Sequence, residues 1–207
     1  MMSQDEEIRK QLKSFRDDIE LYKDIPLSDG DIMKIVDGKS KVVTYPNIHK
    51  YSTLDELLSP FGSCCILYET HEHYGHWVCL TIRPEYTQKG KQIVEYFDSY
   101  GKMPDAPLDI IPAKFAMESK QDYPYLTSLM ANCPYKISYN EHQFQKMSPN
   151  VKDCGRWISI RILMKDLPLE MFCHFFKGLY SDSLATLLTM DEEQLNNGLN
   201  AGGCCVR

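Results

Sequence analysis

The hydrophobic period of the chain changes in its middle third, and this limits the fold more than any other feature. Three short runs, CCILYE (64–69), HWVCLTI (76–82) and QIVEYFDS (92–99), are rich in β-branched, aromatic and other apolar residues, with turn-like segments such as PEYTQKGK between them. They predict three adjacent antiparallel strands. On either side the apolar spacing is helical. Residues 5–24 carry Ile8, Leu12, Phe15, Ile19 and Leu21 or Tyr22 on one face and charges on the other, which predicts an amphipathic helix. Ser28 and Asp31 form a capping-box pattern ahead of DIMKIV, which Asp37-Gly38 stops, and Thr53 with Glu56 repeats the device for LDELL. Further on, MPDAPLDIIP interrupts the pattern, YKISYN (135–140) predicts another strand and QFQKMSPNVKD a loop. From Cys154 the spacing is helical through RWISIRILMKDL and LPLEMFCHFFKGLY, with a last helix over 183–195 before a Gly-rich end. The expectation is an α+β fold: a small, mostly antiparallel sheet, the helix that begins at Cys154 packed on its centre, and further helices on the flanks. The expected division is an N-terminal helical extension (1–50), a core (51–180), and a C-terminal helix with a flexible Gly/Cys tail (181–207).

A chain of 207 residues, 43% of them hydrophobic, can bury one sizeable core. No run approaches the roughly 20 apolar residues that span a bilayer, and the start of the chain is charged from Asp5 onward, without the apolar middle of a signal peptide. Neither a membrane span nor export by that route is expected. Eight cysteines (64, 65, 79, 133, 154, 173, 204 and 205) lack the spacing of a disulfide scaffold, and several sit inside apolar runs, which points to a reducing compartment. The net charge of −6 gives no electrostatic case for nucleic acid.

Within VKDCGRWISIRIL, Cys154 is either a small buried hydrophobe or a nucleophile at a helix start, where the dipole and unpaired N–H groups favour a thiolate. Those N–H groups can also hold an oxyanion, and Gly155 would let a substrate backbone approach without a Cβ in the way. The general base has to come from elsewhere. His76 leads because it opens a strand after the Gly75 turn; His49, His71, His73, His142 and His174 compete, with His174 expected in the core and His71 and His73 expected in solvent. Asp98 ends the neighbouring strand and can orient the imidazole. Gln145 can supply a side-chain N–H to an oxyanion, with Gln143 as its rival. A zinc site from His71, His73, His76 and Cys79 is the competing chemistry, although His76 and Cys79 point to opposite faces of a strand. Prenylation of CCVR is disfavoured by its final arginine.

Taken in order, GHWVCL, YFDSYG, HQFQ and KDCGRW resemble the adenovirus-endopeptidase and SUMO-protease clan of cysteine proteases, over about residues 60–165. The form YN…Q followed by CGRW looks most like the virion-maturation proteases of large DNA viruses and virophages. The resemblance implies a papain-like or adenain-like fold with a catalytic triad of His76, Asp98 and Cys154. It also implies an oxyanion-hole side chain from Gln145, and Trp77 as a wall that clamps an extended substrate. No cofactor or metal is expected. The implied substrates are capsid or core precursor proteins cut at Gly-Gly or Gly-X sites, with docking to the capsid and a location in the virion and host cytoplasm. The chain's own Gly202-Gly203 then reads as a cleavage site or a mimic of one. The same resemblance leaves open a deconjugating protease of SUMO type and a catalytically silent, capsid-associated protein.

Overall fold

The computed structural model of the chain describes residues 4–88, 91–146, 148, 151–177 and 181–191. Five strands form one sheet in sequence order: β1 (Lys41–Thr44), β2 (Ser63–His71), β3 (Tyr74–Gln88), β4 (Lys91–Asp98) and β5 (Lys136–Tyr139). The central pairs β2–β3 and β3–β4 are antiparallel, and the edge pairs β1–β2 and β4–β5 are parallel. Eight helices are described: α1 (Gln4–Lys23), α2 (Asp29–Val36), α3 (Leu54–Leu58), α4 (Ala113–Glu118), α5 (Tyr125–Ala131), α6 (Cys154–Leu163), α7 (Leu169–Phe176) and α8 (Ser181–Thr189). This is the expected α+β architecture, with α6 on the sheet. No helix among the described residues is long and apolar enough to cross a membrane.

The central strands are apolar at successive positions because the sheet is covered on both faces. One face presents Cys65, Leu67, Trp77, Cys79 and Phe97 to α6, with α2, α7 and α8 completing that layer. The other presents Cys64, Ile66, Tyr68, Val78, Leu80, Val94 and Tyr96 to α3, α4, α5 and the 3-10 turn Tyr45–Lys50. α6 is buried from Cys154 to Ile162, and its arginines are paired. Arg161 meets Glu95 of β4 through two hydrogen bonds, Nε to Oε1 at 2.6 Å and Nη2 to Oε2 at 2.9 Å, and Arg83 approaches the same carboxylate at 3.5 Å. This network fixes the rotation of α6 over the sheet, and with it the direction in which Cys154 leaves the first turn.

Several local expectations meet a different structure. β1 was not predicted: KVVT is only four residues long and its parallel partner, Cys64–Leu67, lies about twenty positions away. The Ser28–Asp31 capping box is reciprocal, whereas at α3 the Thr53 hydroxyl accepts from the Glu56 N–H while the Glu56 carboxylate accepts from Ser52 instead of Thr53. His174, expected in the core, is exposed on α7, which buries Phe172 and Phe176 instead. α8 begins two residues before the predicted 183–195 helix and ends at Thr189, with Met190 and Asp191 outside it; residues 192–195 of that prediction and Gly202-Gly203 lie outside the described residues.

Candidate active site

The ends of β3 and β4 and the start of α6 meet at one rim of the sheet. Val78 pairs with Asp98, so His76, two residues back on the same face, is the diagonal neighbour of that carboxylate. His76 Nε2 lies 2.8 Å from Asp98 Oδ1, and both side chains are buried. Cys154 lines the same cleft as the imidazole and is near enough to contribute to its raised pKa. With Nε2 committed to Asp98, Nδ1 is the ring nitrogen left to exchange a proton with sulfur. Burial acts to lower the imidazole pKa, but the Asp98 charge and hydrogen bond, together with Cys154, outweigh it and raise the value from 6.5 to about 10. The same surroundings favour the imidazolium that forms when His76 takes a proton from the thiol, which sits in the first turn of a ten-residue helix. The chemistry available to this arrangement is transfer of the thiol proton and nucleophilic attack by sulfur.

The site opens into a cleft of about 340 Å³ lined in part by His76, Trp77, Tyr100, Gln145, Val151 and Cys154. Cys154 itself is 8% exposed. Gln145 is buried in the cleft wall: its Oε1 accepts from Ser99 Oγ at 2.9 Å, and its Nε2 donates to the Val151 carbonyl at 2.9 Å and to Tyr100 Oη at 3.3 Å. Gln143 is exposed, and its amide donates to the Gln145 carbonyl, so of the two only Gln145 faces the cleft. Trp77 forms a wall, with its indole N–H donating to the Leu27 carbonyl at 3.3 Å.

Gly155 departs from expectation. A Cβ at this position would meet Leu27 Cβ at 3.1 Å and Ile32 Cδ1 and Trp77 Cδ1 at 3.4 Å. It faces packed side chains, and its small size lets α6 lie close to α2 and β3 instead of admitting a substrate. The residues of HEHYGHWVC do not converge either. His71 and His73 are exposed, and Cys79 lies on the opposite face under α6. Among the described residues no three His, Cys, Asp or Glu side chains form a metal-sized cluster.

Other residues complete the site without having been singled out in the sequence. The Tyr100 ring stacks on His76 with centroids 4.7 Å apart and an interplanar angle of 21°, and the Tyr100 N–H donates to Asp98 Oδ1 at 2.7 Å. Its place two residues after Asp98 in YFDSYG was the available signal. Pro26, Leu27 and Ser28, between α1 and α2, form a further wall. That connector is tied from two sides: Trp77 holds Leu27, and Arg156 Nη2 donates to the Tyr22 carbonyl at 2.9 Å. Arg156 also donates to Thr189 Oγ1 at 2.8 Å and pairs with Asp153 at 3.6 Å; burial lowers its pKa, against the charges of Asp153 and Asp31. Nothing in GRW signals a partner more than a hundred residues upstream.

No protein-family profile matches the chain. Among solved structures it is similar to the ASFV pS273R protease, at 15% identity and a TM-score of 0.44, covering 79% of this chain and 66% of that one. It is also similar to the SUMO protease Ulp1 with its catalytic cysteine oxidized to a sulfinic acid, at 16% identity and a TM-score of 0.42, covering 96% and 97%. Uncharacterized protein V9 of Sputnik virophage is 38% identical over 180 residues, which span 84% of this chain and 99% of that protein, and the chain therefore belongs to the V9 family.

Proposed function

We propose that the chain is a cysteine endopeptidase acting through Cys154, His76 and Asp98. The observation that carries this reading is a buried carboxylate 2.8 Å from one nitrogen of an imidazole that shares its cleft with a thiol at a helix start. A residue with a purely packing role has no need of a carboxylate-bound imidazole beside it. In the reaction, the Cys154 proton passes to His76 and the thiolate adds to the peptide carbonyl carbon. The oxyanion takes hydrogen bonds from the first turn of α6 and from Gln145, whose longer bond to Tyr100 is the one to be exchanged. His76 then protonates the leaving amine, and the C–N bond breaks to leave a thioester. Water, deprotonated by His76, attacks the thioester carbonyl; the C–S bond breaks, His76 returns that proton to sulfur, and the carboxylic acid product leaves and ionises in solvent. Asp98 orients the ring and stabilises its charged form.

The narrow cleft, walled by Trp77, Tyr100 and Leu27, suits an extended segment with small residues, such as Gly-Gly or Gly-X. Membership in the family of a virophage protein supports a viral capsid or core precursor as substrate, with maturation of the virion as the setting and the virion and host cytoplasm as the location. The working unit in this reading is the 51–180 core together with the 26–28 wall and the elements packed on it, α2, β1 and α8.

The test is mass spectrometry of wild type and Cys154→Ala incubated with Gly-Gly and Gly-X peptides, with a capsid precursor, and with a folded ubiquitin-like fusion. Cleavage of peptides and precursor by wild type alone is expected. Cleavage of the fusion alone would replace precursor processing with deconjugation, and equal results from both proteins would refute the protease.

A further inference from the structure

The parallel ladder between β4 and β5 ends at Tyr96 and Tyr139. Beyond it β5 offers no backbone partner, yet the Asp98 peptide groups are satisfied. The Asn140 side chain supplies the pairing beyond the ladder: its Oδ1 accepts from the Asp98 N–H at 2.9 Å, and its Nδ2 donates at 2.7 Å to the Asp98 carbonyl, which also accepts from the Gly101 N–H at 2.9 Å. The second Nδ2 hydrogen goes to the His142 carbonyl at 2.9 Å. His142 belongs to the segment that returns to the sheet, where the N–H groups of Phe144 and Gln145 both donate to the Ser99 carbonyl, at 2.8 and 3.0 Å. One amide, 2% exposed, therefore ties the residue that holds His76 to the segment that carries Gln145.

The donor and acceptor pattern accounts for the residue type. Aspartate would set a second oxygen against the carbonyls of Asp98 and His142, serine cannot serve all three bonds, and an apolar side chain would leave the Asp98 N–H and the His142 carbonyl without these partners and the Asp98 carbonyl with the Gly101 N–H alone. Asn140 touches neither His76 nor the thiol, and Asp98 reaches His76 from a backbone that this side chain clamps on both sides.

We propose that Asn140 is a positioning residue, which places the Asp98 carboxylate against His76 and holds the Gln145 segment in register with it. The proposal rests on the reading of Cys154, His76 and Asp98 as catalytic machinery. Misplacement of a reacting group by about 1 Å can cost about a hundredfold in rate. The loss should therefore fall on kcat.

The experiment compares Asn140→Ser and Asn140→Asp with wild type and with Leu126→Ala, a core variant on the same face of the sheet and outside the cleft. Peptide cleavage gives kcat and KM, iodoacetamide labelling of Cys154 across pH reports on the thiol–imidazole pair without a substrate, and thermal unfolding reports stability. Expected is a fall in kcat of about tenfold or more, KM within threefold, and a displaced pH profile for Cys154 labelling in the Asn140 variants. Leu126→Ala should lose stability and keep both kcat and the profile. Asn140 variants with wild-type kcat and profile would overturn the proposal. So would a Leu126→Ala variant that lost kcat equally, or an Asn140→Ser chain that failed to fold, since each makes the role one of stability alone. If wild type cuts none of the substrates, the protease reading fails by itself, and the labelling profile still decides whether Asn140 positions the pair.

Discussion

Asp98→Asn preserves the shape of the side chain and an oxygen for the Tyr100 N–H, but removes the charge beside His76. In the wild type, burial lowers the imidazole pKa and is the largest single influence; the Asp98 charge, its hydrogen bond and Cys154 together overcome it to reach about 10. Without the carboxylate charge, burial dominates and the pKa should fall below the ordinary 6.5. At about 1.4 kcal/mol per pH unit, the rise from 6.5 to about 10 is worth on the order of 5 kcal/mol. The sign follows from linkage. A folded-state value above the unfolded one contributes stability that is fully present below pH 6.5 and disappears as pH rises through about 10. In the variant the shift reverses, so His76 contributes nothing at high pH and opposes folding as pH falls through 6.5. The stability difference between the two proteins should therefore widen by several kcal/mol from pH 10.5 to pH 6. Urea unfolding at pH 6, 8 and 10.5 measures it, with an NMR titration of the His76 ring as the direct readout. A difference that stays constant over this range, or a variant whose His76 titrates at or above the wild-type value, would refute the reasoning.

Gly75→Ala would place a Cβ 1.8 Å from the Tyr68 carbonyl oxygen, which no rotamer relieves. A loss of about 1–3 kcal/mol or more is expected, together with slower labelling of Cys154 because the shift enters the chain at the residue before His76; thermal unfolding and alkylation kinetics measure both. Glu95→Gln removes the charge that compensates Arg161 and Arg83 under α6. It should destabilise the fold by about 3–5 kcal/mol in chemical denaturation, whereas a loss under 1 kcal/mol would show that water or a relaxed geometry satisfies those guanidiniums.

The three central strands, α6 and the adjacency of His76 to Asp98 were legible because each follows from local periodicity or from the register of neighbouring antiparallel strands. Cys154 at the start of a helix was legible from the loop that precedes it. Contacts made where remote segments meet were not. The Leu27 wall depends on how the α1–α2 connector crosses the Cys154 end of α6, and the Asn140 clamp depends on a parallel pairing between β4 and β5 across some forty intervening residues. Gly155 was misread for a related reason. The sequence marks a position that needs no side chain, but whether the space belongs to a substrate or to Leu27, Ile32 and Trp77 depends on which way the helix faces. β1 and the helices α4 and α5 are too short for periodicity to define, and packing against the sheet sets them.

The central claim is that His76 activates Cys154. Limiting iodoacetamide, with labelling of all eight cysteines followed by peptide mapping in wild type and His76→Ala, tests it most directly. If exposure governed reactivity, Cys133 and Cys173, both more exposed than Cys154, would label before it. The account predicts the reverse order at pH 7 in the wild type, and a fall in the Cys154 rate of about a hundredfold in the variant. Labelling of Cys154 no faster than that of Cys133 and Cys173, or a rate unchanged by His76→Ala, would contradict it.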